Sequence, residues 1–467
     1  MNRDDVELMY KYIDKSIKEI IRILMKEYNM TRQKAIESEK TVRNTVRAQL
    51  LEKYRFSDPL KKAYAELDKK NEEIYLERDY SDFSNWLYTA MIVPFYQSLG
   101  DTIGYKNGEW EFNWGENNLG ADSVNRFIYE FIDLGGVNDM SITHWRASDD
   151  TILYMATINV LSSKFTDIDD FGTKLRVAYI DALPAMENRH PGKLTGKSLE
   201  IQKNIEWNKL PYSSSDIGNG STMRAGCIGI FFPGSHNRKT LIALAVECSR
   251  ITHNSAIAIL GSVTAALFTA YALEKVPIKH WPHKLLNLLK SKKIDEYMEK
   301  SRPHEYHLFA RDKVLFTGQW EKYISISFSG LKPKLLDSMK NPVQRFKYLA
   351  DNFSKRNPNF VGGLADDSVI FAYDSLLISG NVIEKLIVYA ILHPGDSDTV
   401  GSIAMSWFGA YYQTSKNLSL LNSRFEELEF AGELYNIVEK NIRRMIEVYY
   451  YDIYMHNAMK YIRNSYK

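Results

Sequence analysis

The chain is organised around the stretch His393-Pro394-Gly395-Asp396-Ser397-Asp398-Thr399-Val400-Gly401. It runs directly into the apolar segment Ser402 to Tyr412, whose composition predicts a buried helix. Two aspartates and a threonine would therefore present oxygen atoms together at one helix start. Alone, such a stretch is most often a helix cap, because Ser, Thr and Asp side chains accept hydrogen bonds from the free N–H groups of the first turn.

A second acidic stretch lies far upstream, in Trp145-Arg146-Ala147-Ser148-Asp149-Asp150-Thr151. It too precedes an apolar run, which predicts a helix over Thr151 to Leu161. We interpret the two stretches as halves of one site. Four carboxylates brought together would repel one another unless divalent cations were bound. Carboxylate and hydroxyl oxygens suit Mg²⁺ or Mn²⁺ and argue against zinc, and such sites often hold two ions.

At these residues the chain resembles the ADP-ribosylglycohydrolase family, and within it the ADP-ribosylarginine hydrolases. The resemblance covers about residues 86 to 440. It rests on the order and number of the blocks, because any one block would be weak. The blocks are Gly100-Asp101-Thr102-Ile103-Gly104-Tyr105, Asn107-Gly108-Glu109-Trp110-Glu111-Phe112, the two acidic stretches, Gly218-Asn219-Gly220-Ser221-Thr222-Met223-Arg224-Ala225, Ser249-Arg250-Ile251-Thr252-His253-Asn254 and Ala372-Tyr373-Asp374.

The resemblance implies an all-α fold, a compact orthogonal helical bundle, with two Mg²⁺ ions in a cleft. Carried over position by position, it implies the metal ligands Ser148, Asp149, Asp150, Asp396, Asp398 and Thr399. Glu111 corresponds to a glutamate on a mobile loop that gates the site or acts as a base, so the implied catalytic residues are Glu111, Asp149 and Asp150. The stretch from Phe353 to Phe360 departs from the family's adenosine-binding segment.

A glycine-rich loop, Gly218, Asn219, Gly220 and Ser221, precedes the apolar segment Met223 to Phe232. Glycines let backbone N–H groups approach an anion, and a helix start favours negative charge, so with the family resemblance we expect this loop to contact phosphate or ribose. Asp367 follows Asp366, which replaces the histidine of the family's His-Asp pair. Asp367 is also expected at the substrate, although a carboxylate there could equally serve as a helix cap.

Three parts are expected along the chain. Residues 1–85 form a helical N-terminal extension, residues 86–440 the catalytic domain, and residues 441–467 a helical C-terminal extension. Within the catalytic domain, Ala90 to Leu99 is predicted as a buried helix ending at Gly100 to Gly104. The extensions show aromatic and apolar residues typical of packing surfaces, and nothing in them indicates a site.

Composition limits the partners. The 467 residues carry a formal net charge of +2, which provides no global field for nucleic acid. Cys227 and Cys248 lie in apolar segments, as expected of packed thiols in a reducing compartment. The start of the sequence shows no signal-peptide pattern, so we expect a cytoplasmic protein. We also expect a monomer. Ser255 to Leu273 is apolar enough to resemble a membrane span, but its small residues predict a central helix and no membrane association.

The resulting hypothesis is a Mg²⁺-dependent hydrolase that removes mono-ADP-ribose from modified arginine side chains of proteins. The Glu111 block and Ala372-Tyr373-Asp374 favour arginine as the acceptor. Three alternatives stay open: a hydrolase of serine-linked ADP-ribose, a non-catalytic module that binds ADP-ribose, and a two-metal phosphohydrolase that cleaves the pyrophosphate.

Overall fold

The computed structural model describes Met25, Thr31, residues 33–35, 81–113, 120–163, 165–334, 340–357, 360–413, 420–438 and 440–441. The predicted terminal extensions therefore lie mostly outside the described residues. The chain divides into two units, one of Met1–Tyr88 with Lys440–Lys467 and one of Thr89–Glu439. Apart from the first eight residues of helix α1, the features described below belong to the second unit.

The fold is all-α, as the sequence indicated. Its helices are α1 (Ser81–Tyr105), α2 (Ser123–Asp133), α3 (Gly136–Asp139), α4 (Asp149–Ser162), α5 (Ile168–Ala182), α6 (Lys193–Gln202), α7 (Thr222–Ala225), α8 (Ile228–Phe231), α9 (Arg238–Arg250), α10 (Ala256–Leu273), α11 (Trp281–Lys290), α12 (Lys293–Ser301), α13 (Pro303–Ser327), α14 (Pro342–Phe353), α15 (Ala365–Ser379), α16 (Ile383–Ala390) and α17 (Ser397–Tyr412).

Shorter elements connect these helices. Single 3₁₀ turns lie at Lys106–Gly108, Glu111–Asn113, Leu183–Met186, Ser235–Asn237 and Ile278–His280, with a longer one at Leu420–Glu427. Two short strands, β1 (Phe328–Ser329) and β2 (Lys332–Pro333), pair antiparallel after α13.

Helix α10 is the centre of the core. All of its residues are buried, and it packs against α7, α8, α9, α13, α15 and α17. Gly261 permits the approach of α15, since a Cβ at this position would lie 2.5 Å from the carbonyl oxygen of Ala365. Among the helices in the described part of the chain, α10 is the one that is long and apolar enough to cross a membrane. Its burial agrees with the central helix predicted from the sequence.

Two glycines bring α1 onto the start of α17. Contrary to the prediction, Gly100 and Gly104 do not end a helix, because α1 continues to Tyr105. A Cβ on Gly100 would collide with the backbone of Gly401, and one on Gly104 with the backbone of Ser397 and Asp398. The glycines thus serve close helix packing, which sets α1 directly against the acidic start of α17.

Two other helix boundaries also differ from the prediction. Helix α4 begins at Asp149 and not at Thr151, so both aspartates lie in its first turn. The segment predicted as one element over Met223 to Phe232 is two single-turn helices, α7 and α8, separated at Gly226 and Cys227.

Candidate metal centre

Asp101 and Ser148 fix the start of α4. Ser148 is the N-cap, and its hydroxyl accepts a hydrogen bond from the Asp150 backbone N–H at 3.1 Å. Asp101, buried on α1, accepts from the backbone N–H groups of Ser148 and Thr151, at 3.1 Å and 3.0 Å for the shorter contacts, and from the Thr151 hydroxyl. Asp149 and Asp150 are therefore held on a rigid helix end.

The start of α17 is held in the same way. Asp396 is the N-cap, and one of its oxygens lies 3.3 Å from the donating N–H of Thr399. Asp398 accepts from the same N–H at 2.9 Å, while the Asn219 side-chain amide donates to the other Asp396 oxygen at 3.0 Å. The capping role considered for each acidic stretch is thus real, and it leaves carboxylate oxygens for other partners.

The two acidic stretches meet in space. The Thr399 hydroxyl donates to one Asp150 oxygen at 3.3 Å, and the Ser402 hydroxyl donates to the other at 3.0 Å. Residues about 250 positions apart in sequence thereby form one cluster. The prediction that the two stretches are halves of one site required this contact.

Burial and mutual repulsion disfavour the charged forms of these acids. Burial, followed by the charges of Glu111 and Asp101, raises the pKa of Asp149 well above its ordinary value. Burial and the charges of Asp101 and Asp149 do the same to the pKa of Asp150. For Asp398, burial and the charge of Glu111 are the largest causes of a raised pKa. In a metal-free cluster these acids would therefore hold their protons more strongly than the same acids do in water.

Glu111 lies on a strained loop beside the cluster. Its neighbours Phe112 and Asn113 have left-handed backbone angles, φ 47° and 48°, and the Phe112 N–H donates to the Gly395 carbonyl at 2.9 Å. Burial raises the pKa of Glu111 to about 7, against a hydrogen bond from His190 that lowers it, and the Asp396 charge raises it further. The Nδ1 atom of His190 lies 3.5 Å from the Glu111 carboxylate.

The donor set suits a hard divalent cation. Five aspartates and Glu111, with the hydroxyls of Ser148 and Thr399, lie in one buried cluster. In the described part of the chain no Lys or Arg forms an ion pair with any of the five aspartates, which are Asp101, Asp149, Asp150, Asp396 and Asp398. Oxygen-only donors favour Mg²⁺ or Mn²⁺. Among the described residues no group of three or more Asp, Glu, His or Cys side chains lies close enough together to hold a metal ion as it stands.

The glycine-rich loop is tied to the acidic start of α17. Asn219 is tied to Asp396 and, through its side-chain amide, to the Gly362 carbonyl at 3.1 Å. The Ser221 hydroxyl is fully buried and hydrogen-bonded to Ser249 and Ser262, so this side chain does not face a ligand. The N–H groups of Thr222 and Met223 donate to the Asn219 carbonyl, which leaves a poor anion site at this short helix. Gly218 and Gly220 stay predicted contacts.

Of the two interpretations of Asp367, the structure shows the cap. Its buried carboxylate accepts from the N–H of Leu364 at 2.9 Å, from that of Gly362 at 3.2 Å and from the Ser354 hydroxyl at 2.7 Å. Asp366 pairs with Arg356 of the same chain. The Ala372-Tyr373-Asp374 block lies in the core, where Asp374 pairs with Arg345, and so it gives no support to an arginine acceptor.

Three residues of the site were not singled out from the sequence. Asp101 and Ser402 each occur in a helix interior, where a polar residue has no local signature, and His190 lies in a loop between elements. For Asp101 a signal existed, because it falls within one of the blocks that resemble the family.

Comparisons with known proteins show the family of the chain. The sequence profile of the ADP-ribosylglycohydrolase family matches residues 97–447. The ADP-ribosyl glycohydrolase L444 of Acanthamoeba polyphaga mimivirus is 51% identical over 468 residues, which cover 98% of this chain and 90% of the relative. The ADP-ribosylhydrolase ARH1 of Dictyostelium discoideum is 32% identical over 339 residues, 68% of this chain and 84% of the relative.

Among solved structures, an ADP-ribosylglycohydrolase-related protein complex matches with a TM-score of 0.45 and 17% identity, over 77% of this chain and 99% of that chain. This structural match is too distant to carry an argument. The sequence matches span most of the chain and include both acidic stretches. The chain belongs to the ADP-ribosylglycohydrolase family of hydrolases.

Proposed function

We propose that the chain is a Mg²⁺-dependent hydrolase that removes mono-ADP-ribose from modified arginine side chains, by cleaving the N-glycosidic bond at C1 of the ribose. The observation that carries the proposal is the contact between the two acidic stretches through Asp150, Thr399 and Ser402. Buried acids with raised pKa values and no described basic partner are what a divalent cation would stabilise.

The residues of the chain have distinct parts in this reaction. Ser148, Asp149, Asp150, Asp396, Asp398 and Thr399 would hold two Mg²⁺ ions. When bound, Mg²⁺ supplies a Lewis acid that orients water and stabilises negative charge. An ionised carboxylate of the cluster, Asp149 or Asp150, accepts a proton from the attacking water as the water oxygen bonds to C1. The C1–N bond breaks, and its electron pair leaves with the arginine guanidine, which takes up a proton. Glu111, on its strained loop, gates access to the buried cluster, and exclusion of bulk water strengthens the electrostatic interactions inside.

The choice of arginine rests on the Glu111 block and its resemblance to the arginine hydrolases, with support from the Dictyostelium ADP-ribosylhydrolase relative. Because Tyr373 and Asp374 lie in the core, the acceptor must be tested directly. Peptides carrying ADP-ribose on arginine or on serine should be incubated with the protein and Mg²⁺, with and without chelator. We expect free ADP-ribose from the arginine peptide and none in chelator.

Each other outcome has a meaning. Release of ADP-ribose from the serine peptide alone would show that the acceptor is serine and not arginine. AMP as a product would indicate cleavage of the pyrophosphate, and binding of ADP-ribose without turnover would indicate a binding module.

A further inference from the structure

A C-terminal segment holds the loop that leads into α4. We call Arg424–Phe430 the clamp segment. Two of its three glutamates, Glu427 and Glu429, accept hydrogen bonds from different ends of the loop Ser141–Ala147, which precedes the acidic start of α4. Glu427 accepts from the Ile142 N–H at 2.8 Å, and Glu429 accepts from the Ala147 N–H at 3.0 Å.

Arg189 completes the contact at the end nearest the site. Its guanidinium pairs with Glu429 through two hydrogen bonds, of 2.6 Å and 2.7 Å, in the planar fork arrangement that suits a carboxylate. One of the same nitrogens donates to the Ala147 carbonyl at 2.7 Å, and Nε donates to the Ala185 carbonyl at 2.9 Å. Both backbone polar groups of Ala147, the residue before Ser148, are thus fixed by this one ion pair.

The pair is charged and remains outside the acid cluster. Its hydrogen bonds, as described, reach Ala147 and Ala185 and none of the cluster aspartates. Although burial opposes it, the hydrogen bonds from Arg189 and Ala147 lower the pKa of Glu429. The Arg189 side chain is only 10% exposed, so an unpaired guanidinium there would be costly.

We propose that Arg189 and Glu429 are positioning residues that set the cation affinity of the site by fixing Ala147, and through it the placement of Ser148, Asp149 and Asp150. The inference rests on the proposed function, since it requires a divalent cation at the cluster. Residues that orient metal ligands without touching the metal change metal affinity about 10- to 100-fold when replaced.

The clamp segment contains a matched control. Glu427 pairs with Arg424 at 2.7 Å and accepts a backbone N–H, as Glu429 does, but at Ile142, six residues before Ser148. Binding of Mn²⁺ alone should be measured by electron paramagnetic resonance for the full chain and for Glu429→Gln, Arg189→Lys and Glu427→Gln. The two variants of the pair should bind Mn²⁺ about 10-fold or more weakly. Glu427→Gln should stay within about twofold, since its contact lies outside the ligand-bearing turn.

A second readout separates positioning from loss of stability. Saturating Mg²⁺ should restore most of the hydrolysis rate of Glu429→Gln, which a general structural defect would not allow. If the unmodified chain binds no Mn²⁺, the proposed metal centre itself fails. If it binds Mn²⁺ and both Glu429→Gln and Arg189→Lys bind equally well, or if Glu427→Gln is weakened as much, the positioning role is wrong. If Glu429→Gln does not fold, Arg189→Lys tests the proposal in its place, because this variant keeps the positive charge.

Discussion

Individual carboxylates in this cluster have two effects, because they cap helices and also concentrate negative charge. Asp396 and Asp398 accept first-turn hydrogen bonds of α17, and Asp149 lies in the first turn of α4. The positive end of each helix dipole partly offsets the repulsion between them. A bound cation would compensate the negative charge that the helix dipoles do not.

Replacement of Asp149 or Asp398 by Asn should abolish turnover and leave the fold intact. Asn is nearly isosteric, but it removes a charged oxygen donor, so we expect hydrolysis to fall by ~100-fold or more. In chelator the melting temperature should rise or stay unchanged, because one repulsive carboxylate is gone. Product release and thermal unfolding would be measured together. Undiminished turnover in either variant would remove that residue from the ligand set.

Asp101→Asn should weaken Mg²⁺ binding about 10- to 100-fold, because an amide cannot accept all the hydrogen bonds that Asp101 receives from Ser148 and Thr151. The control is Asp167→Asn, since Asp167 caps α5 by accepting from the Asp170 N–H at 2.9 Å, at another helix start. Calorimetry with Mg²⁺ should show weaker binding for the first variant only. Equal affinities would assign Asp101 to stability alone.

At the scale of elements, the sequence predicted what local pattern controls. The apolar runs predicted the helices α10 and α17. The acidic stretches were predicted to lie at helix starts, and they do. The continuation of α1 through Gly100 and Gly104 could not be predicted, because glycine usually ends a helix and the backbone of α17 that overrides this preference is some 300 residues away. The burial of Ser221 and Asp374 could not be predicted either, because it depends on contacts with other helices.

Gly401→Ala should lower the free energy of unfolding and disturb the acidic start of α17. The added Cβ would lie 2.8 Å from the Gly100 carbonyl oxygen and 2.8 Å from Ile391, so α17 must shift away from α1. Overpacking of this kind costs about 1–3 kcal/mol. The control is Gly318→Ala in α13, where a Cβ meets nothing within 4 Å, and this variant should gain ~0.5–1 kcal/mol. Denaturant unfolding of both variants checks the difference; a neutral Gly401→Ala would contradict the close crossing.

For the whole molecule, stability should depend on pH through the acid cluster when no cation is bound. Glu111 has a folded pKa of about 7, above its ordinary 4.5. Between these values the folded protein keeps a proton that the unfolded chain has lost. The contribution of Glu111 is therefore fully present below pH 4.5 and is lost as the pH rises through 7, on the order of 3 kcal/mol.

Glu111→Gln supplies the measurement, because it removes this titration together with the contribution that the Glu111 charge makes to the raised pKa values of Asp149 and Asp398. In chelator, the free energy of unfolding of the unmodified protein minus that of the variant should fall as the pH increases from 4.5 to 7.5. Buried His253 and His393, whose pKa values burial lowers to about 3 and 4, act in the opposite direction and cancel in the difference. A difference independent of pH would show that Glu111 is not buried as described.

The burial of α10 has a consequence for how the chain is made. Its partners α15 and α17 begin at Ala365 and Ser397, about 90 and 120 residues after α10 ends at Leu273. At a translation rate of roughly 5–20 residues per second, the faces of α10 that α15 and α17 cover stay uncovered at the ribosome for about 5–25 seconds. A nascent chain stopped before residue 365 should therefore bind chaperones or targeting factors that the finished protein does not.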